Sequence, residues 1–396
     1  MYNAMEIKKN IYWVGINDKR LELFENLWPL EHGVSYNSYL ICDEKIALID
    51  TVAEGNYEYY LKKIQSIIKD RKIDYLIINH MEPDHSGVIP TLIKNYPEIK
   101  IIGNVKTLDI FKNFYGGEDY FHLVKEGDQL SLGEYSLKFY PIPMVHWPES
   151  MVSYEETTKT LFSNDAFGSF GSLDGGIFDD QLDLVFFEEE MRRYYSNIVG
   201  KYSVPVQNAL KKLASLEINC ICPSHGPIWR SNPQRVISLY DKWSSCESDP
   251  GVVIVYGSMY GNTGKMAEAI GQSLAENGIE DIKIYDASKT HLSYILRDIW
   301  KYRGLIIGSC AYNNGMFPPV ENLTTKLLQL GVKDRLLALF GSYSWNGGGV
   351  SNLEKFAEKI NMELVGESIE VKSSPKKEDL EKLRELGKLM AEKLKS

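Results

Sequence analysis

The sequence contains no Cys-x-x-Cys pair. Its five cysteines, Cys42, Cys220, Cys222, Cys246 and Cys310, are odd in number and scattered, which excludes a disulfide framework, a zinc ribbon and a four-cysteine iron site. Cys220 and Cys222 alternate on a predicted strand and point the same way, as buried thiols do. No apolar run approaches the roughly 18 residues that span a bilayer. Glu6, Lys8 and Lys9 interrupt the N-terminal region, so no secretory signal is read there and the expected compartment is the cytoplasm. Basic charge is scarce: 44 Lys and Arg against 54 Asp and Glu leave a net charge of -10. Without a basic patch to hold phosphates, nucleic acid is excluded as the main partner. No GxGxxG turn follows a predicted strand and no GxxxxGKS/T loop is present, which removes the usual dinucleotide and P-loop sites.

What is there reads as an ordinary globular chain. Its 396 residues, 44% hydrophobic and 25% charged, suffice for two or three full cores. Two halves meet near Asp249, Pro250 and Gly251, giving domains at 1–249 and 250–396. Downstream, short apolar runs at Val252 to Tyr256, Ile282 to Tyr285, Leu305 to Ile307, Leu336 to Phe340 and Ile369 to Val371 alternate with helical segments. Met266, Ile270 and Leu274 mark the first of these helices. The alternation predicts a doubly wound parallel sheet of five strands. The first half is less regular. Strands are predicted at Ile46 to Asp50, Tyr75 to Asn79, Ile101 to Gly103, Leu137 to Ile142, Thr160 to Ser163 and Ile218 to Ile221. Tyr57, Leu61, Ile64 and Ile68 have the spacing of one helix face.

Four metal-ligating side chains fall within six residues in His80-Met81-Glu82-Pro83-Asp84-His85. The segment ends a predicted strand, and Pro83 is expected to break any helix, which puts the four on a turn. His146, Asp165 and His225 follow at other strand ends. A lone histidine is more often structural, which is how His32, His122 and His291 are read. Two imidazoles and two carboxylates crowded on one turn are different, because burying them without a cation leaves charges unpaired. Imidazole suits iron, zinc and copper, and carboxylates can bridge two cations.

A second constellation follows the strand Val252 to Tyr256. Ser258-Met259-Tyr260-Gly261-Asn262-Thr263 leads into a helix, and such a loop holds a phosphate on backbone N–H groups and the helix dipole. The alternative is a plain polar turn. Two further loops at the same sheet edge favour a ligand: Ser309-Cys310-Ala311-Tyr312-Asn313-Asn314-Gly315, and Ser342 to Gly349 with Tyr343, Ser344, Trp345 and Gly347. Together the three loops resemble the FMN site of flavodoxins. The resemblance implies contacts from Ser258, Met259, Tyr260, Gly261, Asn262, Thr263, Ser309, Ala311, Tyr312, Asn313, Asn314, Gly315, Ser342, Tyr343, Ser344, Trp345 and Gly347.

His-x-Glu-x-Asp-His, followed by a later His, Asp and His, resembles the metallo-β-lactamase-like domain of the flavodiiron proteins. Zinc hydrolases of that superfamily usually carry His at the position of Glu82; a hard oxygen donor there favours iron. The resemblance covers essentially the whole chain and implies an α/β protein: an N-terminal αββα sandwich, then a flavodoxin-like doubly wound sheet. It implies FMN and two irons per chain, one held by His80, Glu82 and His146, the other by Asp84, His85 and His225, with Asp165 bridging. Tyr194 falls where the family has a pocket tyrosine. Many relatives carry a His after the residue corresponding to Phe24, whereas here Glu25 stands there. The implied activity is reduction of O2 to water, of NO to N2O, or of both, with electrons passing through FMN from an external rubredoxin-type donor. The implied assembly is a head-to-tail homodimer or a dimer of dimers, with Trp147 a candidate contact. The alternative is a dizinc hydrolase with a flavodoxin-like sensor domain.

Overall fold

The computed structural model describes residues 4–396. The chain divides into two compact units, Met1–Asp241 and Lys242–Ser396. The division lies inside the helix Pro233–Ser244, upstream of the Asp249 to Gly251 boundary read from the sequence. Contacts within the second unit explain this: Lys242 pairs with Asp249, and the Trp243 carbonyl accepts a hydrogen bond from Trp300 Nε1 at 3.1 Å. The last turn of the helix is thereby tied downstream. Among the described residues, no helix is long and apolar enough to cross a membrane.

The first unit is a sandwich of two sheets. The seven-stranded sheet runs in the order Met5–Lys8, Ile11–Trp13, Tyr39–Cys42, Ile46–Ile49, Tyr75–Ile77, Lys100–Gly103 and Phe121–Leu123. Its last four strands are parallel. Ile46 to Ile49 are all fully buried, which is why that strand reads as a continuous apolar run. The second sheet runs Gln129–Ser131, Ser136–Pro141, Met151–Glu155, Thr160–Asn164 and Cys220–Pro223. The sheets meet through Tyr39, whose ring lies 5.2 Å from that of Phe162 and whose hydroxyl donates to the Pro223 carbonyl at 2.6 Å. Cys220 and Cys222 are free and buried, with sulfurs 3.9 Å apart.

Two expectations need correction here. The helix Tyr57–Ile68 forms, but its buried face is Tyr60, Lys63, Ile64 and Ile68, and Tyr57 is exposed. Polar anchoring turns the face: the Tyr60 hydroxyl meets Ser38 Oγ at 2.8 Å, and Lys63 Nζ donates to the Gly15 carbonyl at 2.5 Å. Pro83 does not break a helix; it starts one, Pro83–Ser86. At the first helical position proline loses no hydrogen bond and its φ is already helical, so Asp84 and His85 sit on a helical turn with Glu82 as its cap.

The second unit is the predicted doubly wound sheet, in the order Ile282–Asp286, Asp249–Gly257, Tyr302–Tyr312 and Leu336–Tyr343, all parallel. The fifth position is split between Glu363–Leu364 and Ile369–Lys372, both paired to Leu336–Tyr343. Met266, Ile270 and Leu274 are fully buried against it. Gly308 pairs across the strands with Phe340, and a Cβ on it would run into the Phe340 ring. Gly308→Ala should therefore destabilise this unit by about 1–3 kcal/mol through overpacking. Urea unfolding of the variant and parent will measure it; coincident curves would show that the ring moves aside freely.

Candidate metal and flavin sites

Each metal-ligating candidate leaves the end of a strand or the turn beyond it. His80 follows Tyr75–Ile77, and its N–H and that of Asn79 reach Asp50 Oδ1 at 3.3 and 2.8 Å. Asp50 was not singled out in the sequence, although an Asp closing an apolar strand marks it. Burial pushes its carboxyl up to about 6, against the lowering pull of His85. His146 lies beyond Ser136–Pro141, Asp165 directly follows Thr160–Asn164, and His225 follows Cys220–Pro223. Both sheets therefore send ligand-bearing loops to one place.

The donor atoms form two groups, His80, Glu82, His146 and Asp165, then Asp84, His85 and His225. Asp165 faces both. Its Oδ2 lies 3.2 Å from His80 Nε2 and 3.0 Å from His146 Nε2. Its Oδ1 lies 3.0 Å from His85 Nε2 and 3.4 Å from His225 Nε2. Glu82 Oε2 is 3.1 Å from both His80 and His146, while Asp84 Oδ2 is 3.3 and 3.4 Å from His85 and His225. All seven predicted residues are thus brought together.

Several of these atoms are buried without a hydrogen-bond partner among the described residues: both Asp84 oxygens, both His85 ring nitrogens, Asp165 Oδ1 and His225 Nε2. Each such orphan costs about 1–3 kcal/mol, and two cations would satisfy those that face the cluster. The donor chemistry of four imidazoles and three carboxylates fits iron.

Aromatic rings wall the His225 side. Phe24, Tyr36 and Tyr194 have centroids 5.2, 5.7 and 5.5 Å from its ring. Tyr194 is fully buried, its hydroxyl has no hydrogen-bond partner among the described residues, and it ends a helix that continues into the π-helical turn Tyr195–Val199, a distortion frequent at functional sites. Burial, then Asp165 and Glu82, hold its phenol well above the usual range, so it stays a donor. Glu25 sits in the tight hairpin joining Leu23–Phe24 to Trp28–Pro29 and accepts from Trp28 Nε1 at 3.0 Å. Desolvation, then the Glu82 charge, pushes its carboxyl up to about 7.

In the second unit a cavity of about 430 Å³ opens at the C-terminal edge of the sheet, a size suited to a small cofactor. It is lined by Ser258, Met259, Tyr260, Asn262, Thr263, Ala311, Tyr312, Asn313, Asn314, Ser342, Tyr343, Ser344 and Trp345, all predicted. Gly261, Ser309, Gly315 and Gly347 do not line it; they shape the loops. Gly261 has a left-handed φ of 87° and begins the helix Asn262–Glu276. Ser309 is fully buried, its Oγ accepting from Phe317 N–H at 2.9 Å. Gly315 pairs with Tyr312 in a short hairpin, and Gly347 packs near Glu370. The cavity also takes in Cys310, Asn346 and Ser373. Ser373 follows the strand Ile369–Lys372, and a fourth loop at the same edge was there to be read. Thr263 Oγ1 and Ser342 Oγ, 2.9 Å apart, join two of the loops at the helix N-terminus. Hydroxyls and amides at a helix start, with Trp345 and Tyr260 exposed at the rim, fit a phosphate and a flat ring.

Two outcomes follow from these geometries. Burial alone would lower His85 and His146, but Asp84, Asp165 and Glu82 outweigh it and raise both to about 9 from 6.5. A raised histidine adds stability that is complete below 6.5 and lost as pH rises through about 9. Metal-free protein should therefore lose stability between pH 6.5 and 9, while the metal-loaded form changes less. Urea midpoints of both forms at pH 6, 7.5 and 9 test this; a metal-free midpoint that rises with pH contradicts it. Separately, Thr263→Ala should weaken FMN retention by about 0.5–1.5 kcal/mol, one hydrogen bond. Equal FMN dissociation constants for variant and parent would remove Thr263 from the site.

Comparison with known proteins matches a known family to each unit. The model described as "ODP family beta lactamase" matches residues 34–226, and the flavodoxin model matches residues 254–387. A protein named nitric oxide reductase from Moorella thermoacetica is 35% identical over 399 residues, covering 100% of both chains. The structure of rubredoxin oxygen:oxidoreductase from Desulfovibrio gigas superposes with a TM-score of 0.94 at 32% identity, over 99% of this chain and 98% of that one. The flavodiiron protein of Giardia intestinalis gives a TM-score of 0.95 at 27% identity, over 100% and 97%. The Moorella and Desulfovibrio relatives are named as oxidoreductases, and the hydrolase alternative is not favoured. The chain belongs to the flavodiiron protein family and is an oxidoreductase that carries FMN and a pair of iron ions.

Proposed function

We propose that this chain reduces O2 to water, NO to N2O, or both, at a diiron centre, with electrons supplied through FMN by an external rubredoxin-type carrier. One iron is assigned to His80, Glu82 and His146, the other to Asp84, His85 and His225, and Asp165 to the bridge. The observation that carries the reading is the orientation of Asp165, one oxygen toward each donor group. The names of the Moorella and Desulfovibrio relatives each support one of the two substrates. The bound groups supply electron storage and transfer at FMN and binding and reduction of the diatomic molecule at the irons.

The chain's own residues do the rest. Carboxylates from Glu82, Asp84 and Asp165 offset the charge of two cations. Phe24 and Tyr36 beside His225, and Phe170, whose ring centroid lies 5.1 Å from that of Tyr194, exclude water there, so electrostatic interactions are strong. Tyr194 keeps its proton and donates a hydrogen bond to bound substrate. In the flavin unit, the loop Ser258 to Thr263 and the helix behind it hold the phosphate, and Tyr260 and Trp345 pack on the ring. The working unit is proposed to be a head-to-tail homodimer or a dimer of such dimers, with Trp147, half-buried beside His146, in the contact, and the compartment to be the cytoplasm.

Asp165→Ala should lose iron and turnover yet keep FMN, since the bridge serves both cations and the flavin loops lie in the other unit. The protein, reduced anaerobically through a rubredoxin and its reductase, is given O2 and NO in separate consumption assays; NADH alone should give little turnover. Two irons retained in the Asp165 variant would remove the bridging role. Full turnover without a carrier would overturn the donor assignment.

A further inference from the structure

The imidazoles of the cluster are braced differently on the side facing away from it. His80 Nδ1 donates to Glu149 Oε1 at 2.8 Å, and the same oxygen accepts from Met81 N–H at 2.9 Å. Glu149 is 1% exposed, and its other oxygen has no hydrogen-bond partner among the described residues. Its backbone is held too: Asn104 Nδ2 donates to the Glu149 carbonyl at 2.6 Å. On the opposite side, His225 Nδ1 donates at 2.8 Å to the carbonyl of Ser35, a neutral group. His85 Nδ1 has no partner among the described residues.

We infer that Glu149 is a positioning residue for the metal held by His80, and that it makes the two metal positions electronically unequal. A proton fixed on Nδ1 leaves the Nε2 lone pair for the metal, so the brace sets both the tautomer and the plane of the ring. A buried carboxylate behind the ring also makes the imidazole a more basic ligand than a carbonyl does. The metal on His80 therefore feels a more negative donor set, which favours its higher charge state, and it is the harder of the two to reduce. A neutral brace at His225 and none at His85 leave the other metal the easier one. The inference rests on the ligand assignment proposed above.

Glu149→Gln separates the charge from the brace, because glutamine keeps an oxygen that can accept from His80 and Met81. The variant should retain two irons and normal FMN midpoint potentials. In a spectroelectrochemical titration its two iron reduction steps should lie closer together than in the parent, and the electron paramagnetic resonance signal of the half-reduced centre should change. Glu149→Ala, which removes the brace as well, should bind metal at one position about 10–100-fold more weakly, measured with Mn2+ and the metal-free protein. Unshifted iron potentials in the glutamine variant would overturn the electronic inequality, and unchanged Mn2+ affinity in the alanine variant would overturn the positioning role. His80→Ala serves as the control for the ligand assignment: two irons bound with the parental resonance signal would mean that assignment is wrong. Loss of iron from His80→Ala beside an indifferent Glu149→Gln would count against Glu149 alone.

Discussion

The first unit depends on one buried carboxylate. Asp165 is 1% exposed, and each of its oxygens faces two imidazoles. An uncompensated charge there would cost several kcal/mol, so the surrounding structure must deliver positive charge to it. The backbone commits to this early. Asn164, with a left-handed φ of 49°, turns the chain at the strand end. It accepts from Asp165 N–H through its side chain and donates to the Met151 carbonyl at 2.7 Å. Its own carbonyl accepts from Ser224 N–H at 2.7 Å, which links the Asp165 loop to the residue before His225.

The two sheets matter because neither carries a complete donor set. His80, Glu82, Asp84 and His85 come from the chain after Tyr75–Ile77, in the seven-stranded sheet. His146, Asp165 and His225 come from the five-stranded one. Asn79 ties them together just before His80: its side chain accepts from Ser153 Oγ at 2.7 Å, and its carbonyl accepts from Met151 N–H at 3.0 Å. A shift of either sheet by one residue would turn these side chains to the wrong face. Sandwich packing and metal geometry are thus one constraint, which is why the polar residues at this edge are as buried as the core.

The seven ligand candidates were legible because their chemistry is dense in sequence or sits at strand ends. The same holds for the three loops of the flavin unit, since a parallel sheet must release its loops along one edge. Other features were not legible, for physical reasons. Glu149 reaches His80 across 69 positions, and no spacing rule joins an acid in one loop to a ring in another. Ser35 acts through its carbonyl, which every residue has. The buried face of Tyr57–Ile68 was misjudged because Tyr60 and Lys63 are held by polar contacts that an apolar count ignores. Pro83 was read by its effect inside a helix, whereas its effect at the first position is the opposite.

The two units handle charge in opposite ways. Around the metal candidates, ionisable side chains are buried and paired, and their balance shifts with pH and with metal. The flavin cavity is lined without a single Lys or Arg among its described residues, so a dianionic phosphate there must rest on N–H dipoles and hydroxyls. Such donors carry no net charge and do not titrate near neutrality. The loops that supply them are interlocked by backbone: a Cβ on Gly348, at a φ of 122°, would strike the Asn314 carbonyl. Flavin binding then follows from the shape of the loops rather than from ion pairs, in a chain already at -10 net charge. Conditions that empty the metal site by protonating its histidines should leave the flavin cradle's own donors unchanged.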